Sequence, residues 1–535
     1  MCDAPAGDAL YASFFSGLAA SQLLAGPEAC GRTLRALTEL CVAHCAASQG
    51  PPQPGGAPGA LNFAAVDAYA RLALALARHH GECCCEGRAP PPPRAALLSA
   101  AFAACASVLL RDQEERRGAF NPRPYFRLVS CWVGELSPPD PGLDLAHPPV
   151  VASLGRLLLA VQPLRAPGFA FAWLELVSHR RLVPVLCGAG GPPPGPADAA
   201  PPGWPLLQAL LVGALRFLEP RLRAAELPEP ARVLYRGLLR VLLLLLHDAP
   251  EFLVAAAPGL CASLPPSCVQ MRNLVLSAFP RNMRLPDPFT PNLQVASLPD
   301  IRAPPRTAPG WDAPLGSERG AALLGALAPG APPAALAAAL CLPPGAQHAA
   351  GTRYDVPLLN ALVLRVGGAG AASAAGAPDA LAATPHAAVF SRLAAELDAE
   401  GRFLLLNAAA NQLRFPNSHT HYFSCLLLHL FAEAPHEAVR EQVTRVLLER
   451  LIVNRPHPWG LLVTFIELIK NPRYAFWMHA FTRCHPEISA VFASVAQSVS
   501  SGGQPATVVE RFPAARAAFG GGAGDGLGAG GARAY

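Results

Sequence analysis

The chain has 535 residues, with 42 Lys plus Arg against 37 Asp plus Glu and a formal net charge of +5. That excess is too slight to imply a nucleic-acid or anionic-membrane partner, and the length excludes a lone small module. Hydrophobic residues reach 52% and charged residues 15%, which excludes wholesale disorder, so the 59 Pro and 46 Gly must act locally. Lys470 is the only lysine; arginine carries almost all of the positive charge, consistent with a compositional bias that slightly favours interface-forming surfaces.

The first ten residues, MCDAPAGDAL, carry two acids and no basic start, so they do not read as a secretory leader. The 15 cysteines, odd in number and unevenly spread, read as reduced thiols of the cytosol or nucleus. Cys41 and Cys45 stand one helical turn apart and are expected in a core. His79, His80, Cys83, Cys84 and Cys85 suggest metal chemistry, but adjacent cysteines cannot converge on one tetrahedral ion and no Cys-x-x-Cys pair exists, so no metal is assigned. Pro and Gly cluster at Gly50–Gly59, Ala89–Pro93, Gly188–Gly203, Ala303–Gly310, Ala328–Pro333 and Gly367–Gly376, all read as surface loops or insertions. Gly520–Tyr535 reads as a disordered tail, and its Gly526, Gly528 and Gly531 match to a dinucleotide fingerprint lacks the flanking strand and helix. The uncharged run Ala321–Ala350 is broken by Pro329, Pro332, Pro333, Pro343 and Pro344, so no bilayer span is expected.

Between these breaks apolar residues recur at three and four. A helix is expected over Asp398–Leu413, stopping before Pro416. Asn417 or Ser418 then caps one that carries Tyr422, Phe423, Leu426, Leu427 and Leu430. Arg440–Ile452 shows a stripe of Val443, Val446, Leu447 and Leu451, with Glu441, Arg445, Glu449 and Arg450 on other faces. The next starts at Pro458, buries Leu462, Phe465, Ile466 and Ile469, and stops at Asn471 before Pro472. Short helices joined by short turns predict an all-α fold, an irregular HEAT-like helical repeat solenoid with Pro/Gly-rich loop insertions. Its organisation is read as residues 1–60, an N-terminal helical segment with a linker; 61–300, the first part of the helical domain; 301–350, a Pro/Ala-rich connection; 351–500, the second part; and 501–535, the tail.

Reactive constellations are scarce. A P-loop needs Gly-Lys, and Lys470 follows Ile469; no Gly-x-Ser-x-Gly elbow occurs. His419 and His421 are two apart, so a helix points them in divergent directions and denies them a shared ion. No catalytic residue, cofactor or metal is therefore assigned. Arg281–Asn292 reads RNMRLPDPFTPN, where three prolines force an extended path. It is either a loop tied across helix ends or an ordered platform for a partner, since a rigid loop loses little entropy on binding. Val453–Trp459 poses the same choice, between an interface and a tryptophan plug between repeats.

These last segments carry a family likeness. NSHTHYFSCLLLHLFAEA from Asn417 and EQVTRVLLERLIVNRPHPWGLLVTFIELIKNPRYAFW from Glu441 resemble the C-terminal domain of the Not-type scaffold, the largest subunit of the Ccr-Not mRNA deadenylase complex. So do PPSCVQMRNLVLSAFPRNMRLPDPFTPNLQV from Pro265, LYRGLLRVLLLLLHDAPEFL from Leu234 and EGRFLLLNAAANQLRFP from Glu400, and the likeness extends from about Ala64 to about Gln497. The resemblance implies a non-enzymatic HEAT-like scaffold domain that docks the smaller Not-module subunits as a heterodimer, together with translational repressor proteins, in mRNA deadenylation, decay and translational repression. It implies no direct nucleic acid and no membrane, and a cytoplasmic and also nuclear location. Candidate partner-contact residues are Arg281, Arg284 and Phe289 in the extended loop, and Tyr422, Arg455, His457, Trp459, Arg473 and Tyr474 near the later helices. Family members are several times longer, so the chain is expected to be a fragment or a separately encoded piece. A helical-repeat adaptor or RNA-binding protein outside this complex is the alternative, and steeply salt-dependent RNA affinity would favour it.

Overall fold

The computed structural model describes residues 26–50, 59–79, 94–136, 145–188, 200–224, 226–291, 293–327, 333–373 and 384–483, with a few isolated positions beside them. Among the described residues the only β-type pairing is one antiparallel bridge between Cys341 and Tyr354, so the fold is all-α, as the apolar spacing predicts. The cluster at His80 and Cys83–Cys85, most of the early Pro/Gly breaks and the Gly-rich tail lie outside the described residues. The chain divides into two compact units, Met1–Phe217 and Leu218–Tyr535.

The first unit holds α1 (Pro27–Ala47), α2 (Ala64–His79), α3 (Arg94–Arg116), α4 (Arg123–Glu135), α5 (Pro148–Ala160), α6 (Ala170–Val177) and α7 (Leu182–Leu186), and α8 (Trp204–Leu222) contains the division. Within it α1 packs on α3 and α3 on α5, while α2 packs on α4 and α4 on α6. Successive helix pairs thus stack in two layers, the HEAT pattern. Trp132 of α4 is the hub: its ring lies 6.1 Å from Tyr69 of α2 and 5.1 Å from Phe102 of α3, and its indole N–H donates to the Ala70 carbonyl at 3.3 Å. A buried indole needs such an acceptor. Cys45 is fully buried as a small hydrophobe, while Cys41 is half-buried.

The second unit contains α9 (Glu229–Asp248), α10 (Pro250–Ala262), α11 (Val269–Leu276), α12 (Glu318–Ala326), α13 (Pro333–Ala339), α14 (Pro344–Ala350), α15 (Val356–Ser373), α16 (Pro385–Glu396), α17 (Ala399–Ala410), α18 (Ser418–Glu433), α19 (Glu437–Leu451) and α20 (Trp459–Lys470). Here α15, α17 and α19 form one layer and α16, α18 and α20 the other. Side chains set the helix starts: Asp398 accepts from the Gly401 N–H at 2.9 Å, and Asn417, rather than Ser418, accepts from the Thr420 N–H at 2.9 Å. The Pro-rich stretch after α11 runs through short 3-10 turns and is pinned at α10 and at the start of α18. The Ala308 N–H donates to the Ala255 carbonyl at 2.8 Å, and the Ser418 N–H to the Ala303 carbonyl at 2.9 Å.

Three expectations change. The break at Gly367 is absent, because α15 continues to Ser373. Its glycines serve close approach: a Cβ at Gly367 would stand 2.0 Å from the Phe423 ring, and one at Gly370 2.5 Å from the Tyr422 ring. Arg450 is not on the solvated face of α19 but buried, while Leu451 is only half-buried. On α20 the fully buried positions include Leu461 and Leu468, with Leu462 and Ile466 half-buried, because this helix packs against both α18 and α19. Two described helices, Arg94–Ala119 and α15, are long and apolar enough to cross a membrane by length and composition. About half of the most apolar window of each, 50% and 56%, is buried inside the fold, as in a core helix.

Candidate docking surface

The extended loop after α11 is locally wired. The Asp287 carboxylate accepts from the Phe289 N–H at 3.0 Å and its carbonyl from the Thr290 N–H at 3.1 Å, which tightens the turn between the prolines. Phe289 packs half-buried against the core of the second unit, while Arg281 and Arg284 are exposed. Arg281 is also a tie: its guanidinium donates to the carbonyls of His247 and Asp248 at the C-terminus of α9, where the helix dipole favours a cation.

The turn between α19 and α20 meets this loop directly. Trp459, 5% exposed, donates its indole N–H to the Pro286 carbonyl at 2.8 Å, and Gln270 of α11 donates to the Asn454 carbonyl at 3.0 Å. Trp459 is therefore a plug beneath the loop. His457 donates from Nε2 to the Val453 carbonyl at 2.9 Å, and burial holds its imidazole below the usual range, so it sits neutral inside the turn. Arg455 is exposed at the rim.

Arg281, Arg284, Phe289, Arg455, His457 and Trp459 thus share one wired segment pair. The other three candidates do not join it. Arg473 and Tyr474 lie beyond the far end of α20, about 18 Å along its axis for 12 residues. Arg473 is exposed there, and Tyr474 sets its ring edge-on to Phe431 at 6.3 Å. Tyr422 is 2% exposed, tucked against Gly370 and Phe423, and supports the fold from inside. Burial pushes its phenol up to about 12. The two patch histidines diverge as the geometry of a helix demands. His419 lies against Gly368, its imidazole pushed down to about 4 by burial and by Arg414, whereas His421 sits 3.8 Å from the Cys425 sulfur. No group of three His, Cys, Asp or Glu side chains among the described residues could hold a metal ion.

Beneath this loop and turn lies a polar layer that sequence reasoning missed. Arg272, Arg414 and Arg450 are each 2% exposed, and among the described residues none is in an ion pair. Carbonyls at helix ends replace the missing acids. Arg272 donates to the carbonyls of Cys261, Leu264 and Pro265 at 3.2, 2.7 and 3.1 Å, closing the C-terminus of α10. Arg450 donates to the Asn407 carbonyl at 2.8 Å in the last turn of α17. The Asn411 side-chain oxygen bridges both cations, 3.3 Å from Arg272 and 2.7 Å from Arg450, and Asn273 donates to the Arg450 carbonyl at 2.6 Å.

Arg414 has a separate cause: Pro258 inside α10 has no N–H for the Val254 carbonyl, and Arg414 donates to that oxygen at 2.7 Å. Burial pulls Arg450 down to about 9 and Arg414 down to about 10, so both stay cationic at neutral pH. These residues anchor the loop and the turn, since Arg272 and Asn273 lie just before the extended loop and Arg450 just before the turn. The only sequence signal was polar side chains at buried phases, as in Asn407 and Asn411 at helical spacing.

A family profile described as "CCR4-Not complex component, Not1" matches residues 139–496, so the likeness noted from Ala64 precedes the matched span. The CCR4-NOT transcription complex subunit let-711 of Caenorhabditis elegans is 41% identical over 413 residues, covering 74% of this chain and 15% of that protein. General negative regulator of transcription subunit 1 of Schizosaccharomyces pombe is 36% identical over 379 residues, 70% of this chain and 18% of that one. The chain therefore spans less than a fifth of the length of either relative. Among solved structures, the NOT1 superfamily homology domain from Chaetomium thermophilum superposes with a TM-score of 0.73 at 27% identity, covering 90% of this chain and 93% of that one. A Not1 C-terminal domain in complex with Not4 shares the fold, with a TM-score of 0.67 at 24% identity over 87% of this chain and 93% of that chain.

Proposed function

Because the chain belongs to the Not1 family of CCR4-Not complex components, we propose that it works as a non-catalytic docking frame for other subunits of that complex. On this reading it receives the smaller Not-module subunits as a heterodimer, together with translational repressor proteins. It thereby links mRNA deadenylation and decay to translational repression, in the cytoplasm and also in the nucleus. The observation that carries the reading is the bond from Trp459 to the Pro286 carbonyl, which locks two extended segments into one prepared surface with Arg284 and Arg455 exposed on it. The fold shared with a Not1 domain solved in complex with Not4 supports subunit docking.

The test is affinity capture with the full chain as bait at mild salt. The smaller Not subunits are expected among the captured proteins. Arg284→Glu combined with Arg455→Glu should lower their recovery by about tenfold with an unchanged melting temperature, because exposed interface charges act on association rather than on folding. Repeated absence of those subunits from the wild-type capture would overturn the assignment.

A further inference from the structure

One helix face remains unused. Along α9, Ala231, Leu234, Leu238, Val241, Leu242 and Leu245 are buried, and the helix packs on α10 and α11. A helix so placed should turn a polar face outward. Beside its exposed arginines, however, Val233, Leu243 and Leu244 are 45%, 46% and 40% exposed. With 3.6 residues per turn, Val233 and Leu244 fall on one line of the helix, and Gly237, which has no side chain, leaves a notch between them. Exposed Arg236 and Arg240 run beside that line as a basic edge, and Leu243 lies beyond that edge. Three nearby acids are held by groups other than these two arginines: Glu229 pairs with Arg232 at 3.0 Å, Asp248 with His247 at 2.7 Å, and Glu251 accepts from the Arg281 N–H at 2.9 Å. Among the described residues Arg236 and Arg240 are in no ion pair.

We propose that the outer face of α9 is a second docking site, which takes an acidic amphipathic helix of a partner protein. The stripe from Val233 to Leu244 is about 16 Å long, three turns of a partner helix. Its exposed aliphatic side chains and the notch at Gly237 match leucine-type anchors, and its basic edge, with Arg236 and Arg240 one turn apart, matches carboxylates at the same spacing. RNA would leave the exposed leucines unused, since its binders rely on cations with aromatic stacking. An anionic membrane surface calls for about four to eight clustered cations, more than this edge supplies. The proposal rests on the docking-frame reading but uses a different surface. Arg281 fixes that surface relative to the platform by its bonds to the α9 C-terminus.

The experiment titrates the full chain into a labelled synthetic helix of about 18 residues, with Leu at i, i+3, i+4 and i+7 and Glu between, and into a scramble of equal composition. Saturable binding is expected, at least about tenfold tighter than the scramble, and lost in Leu244→Glu. Arg236→Glu with Arg240→Glu should reject the Glu peptide and accept its Lys counterpart, a reversal that misfolding cannot mimic. Equal binding of peptide and scramble, no reversal, or tighter binding to oligouridylate or to phosphatidylserine vesicles would each overturn the proposal. Capture of the smaller Not subunits by the same variants reports separately on the platform, so the two readings can fail independently.

Discussion

Replacing Asn411 by Leu tests whether helix-end carbonyls and one amide hold the buried cations. Leu keeps the branched outline of Asn, with larger methyl groups in place of the amide, and removes the oxygen that accepts from Arg450 at 2.7 Å and from Arg272 at 3.3 Å. Hydrogen bonds to charged groups contribute roughly 1.5–3 kcal/mol each, and each guanidinium keeps its other acceptors, so the loss should be about 3 kcal/mol. Asn411→Asp is the control. A carboxylate between two cations gains a gross Coulomb attraction of about 4 kcal/mol per pair at an effective dielectric near 20, against several kcal/mol of desolvation. That variant should lie within about 1 kcal/mol of wild type. Because the chain has two units and need not unfold in one step, the readout is hydrogen exchange of peptides from α11, α17 and α19 alongside urea unfolding. Wild-type stability of the Leu variant, or an Asp variant weaker than the Leu one, would refute the reasoning.

Other outcomes follow from single contacts. Gly367→Ala should destabilise the second unit by about 1–3 kcal/mol despite the better helix propensity of alanine, because its methyl would clash with Phe423. Pairing it with Phe423→Leu in thermal melts should recover part of the loss. Arg414→Met should cost about 1–3 kcal/mol by orphaning the Val254 carbonyl, and less in a Pro258→Ala background, where residue 258 regains an N–H. A double-mutant cycle with no coupling would sink that account. His419 is neutral in the fold because its pKa falls from 6.5 to about 4, so the unfolded chain binds the extra proton first. Stability should therefore decline as pH falls from 6.5 toward 4, by about 3 kcal/mol, and a His419→Gln variant should show a shallower decline in acid titration of urea midpoints.

The sequence by itself determined the helical class, many helix ends and the family likeness. Spacing at three and four reports an amphipathic face without any knowledge of what covers it, and caps such as Asp398 and Asn417 act within one turn of chain. The extended loop was legible for the same reason, since proline restricts its own neighbours. Tertiary structure alone decided which faces were buried. Arg450 looked solvated because its burial depends on Asn407 and Asn411, about 40 residues away in sequence but hydrogen-bonded to it. Gly367 and Gly370 looked like a chain break because only the approaching Phe423 and Tyr422 rings give the missing side chains a purpose. Local rules fix what one turn of chain does, while the worth of a charge or a gap is set by neighbours that chain order does not reveal.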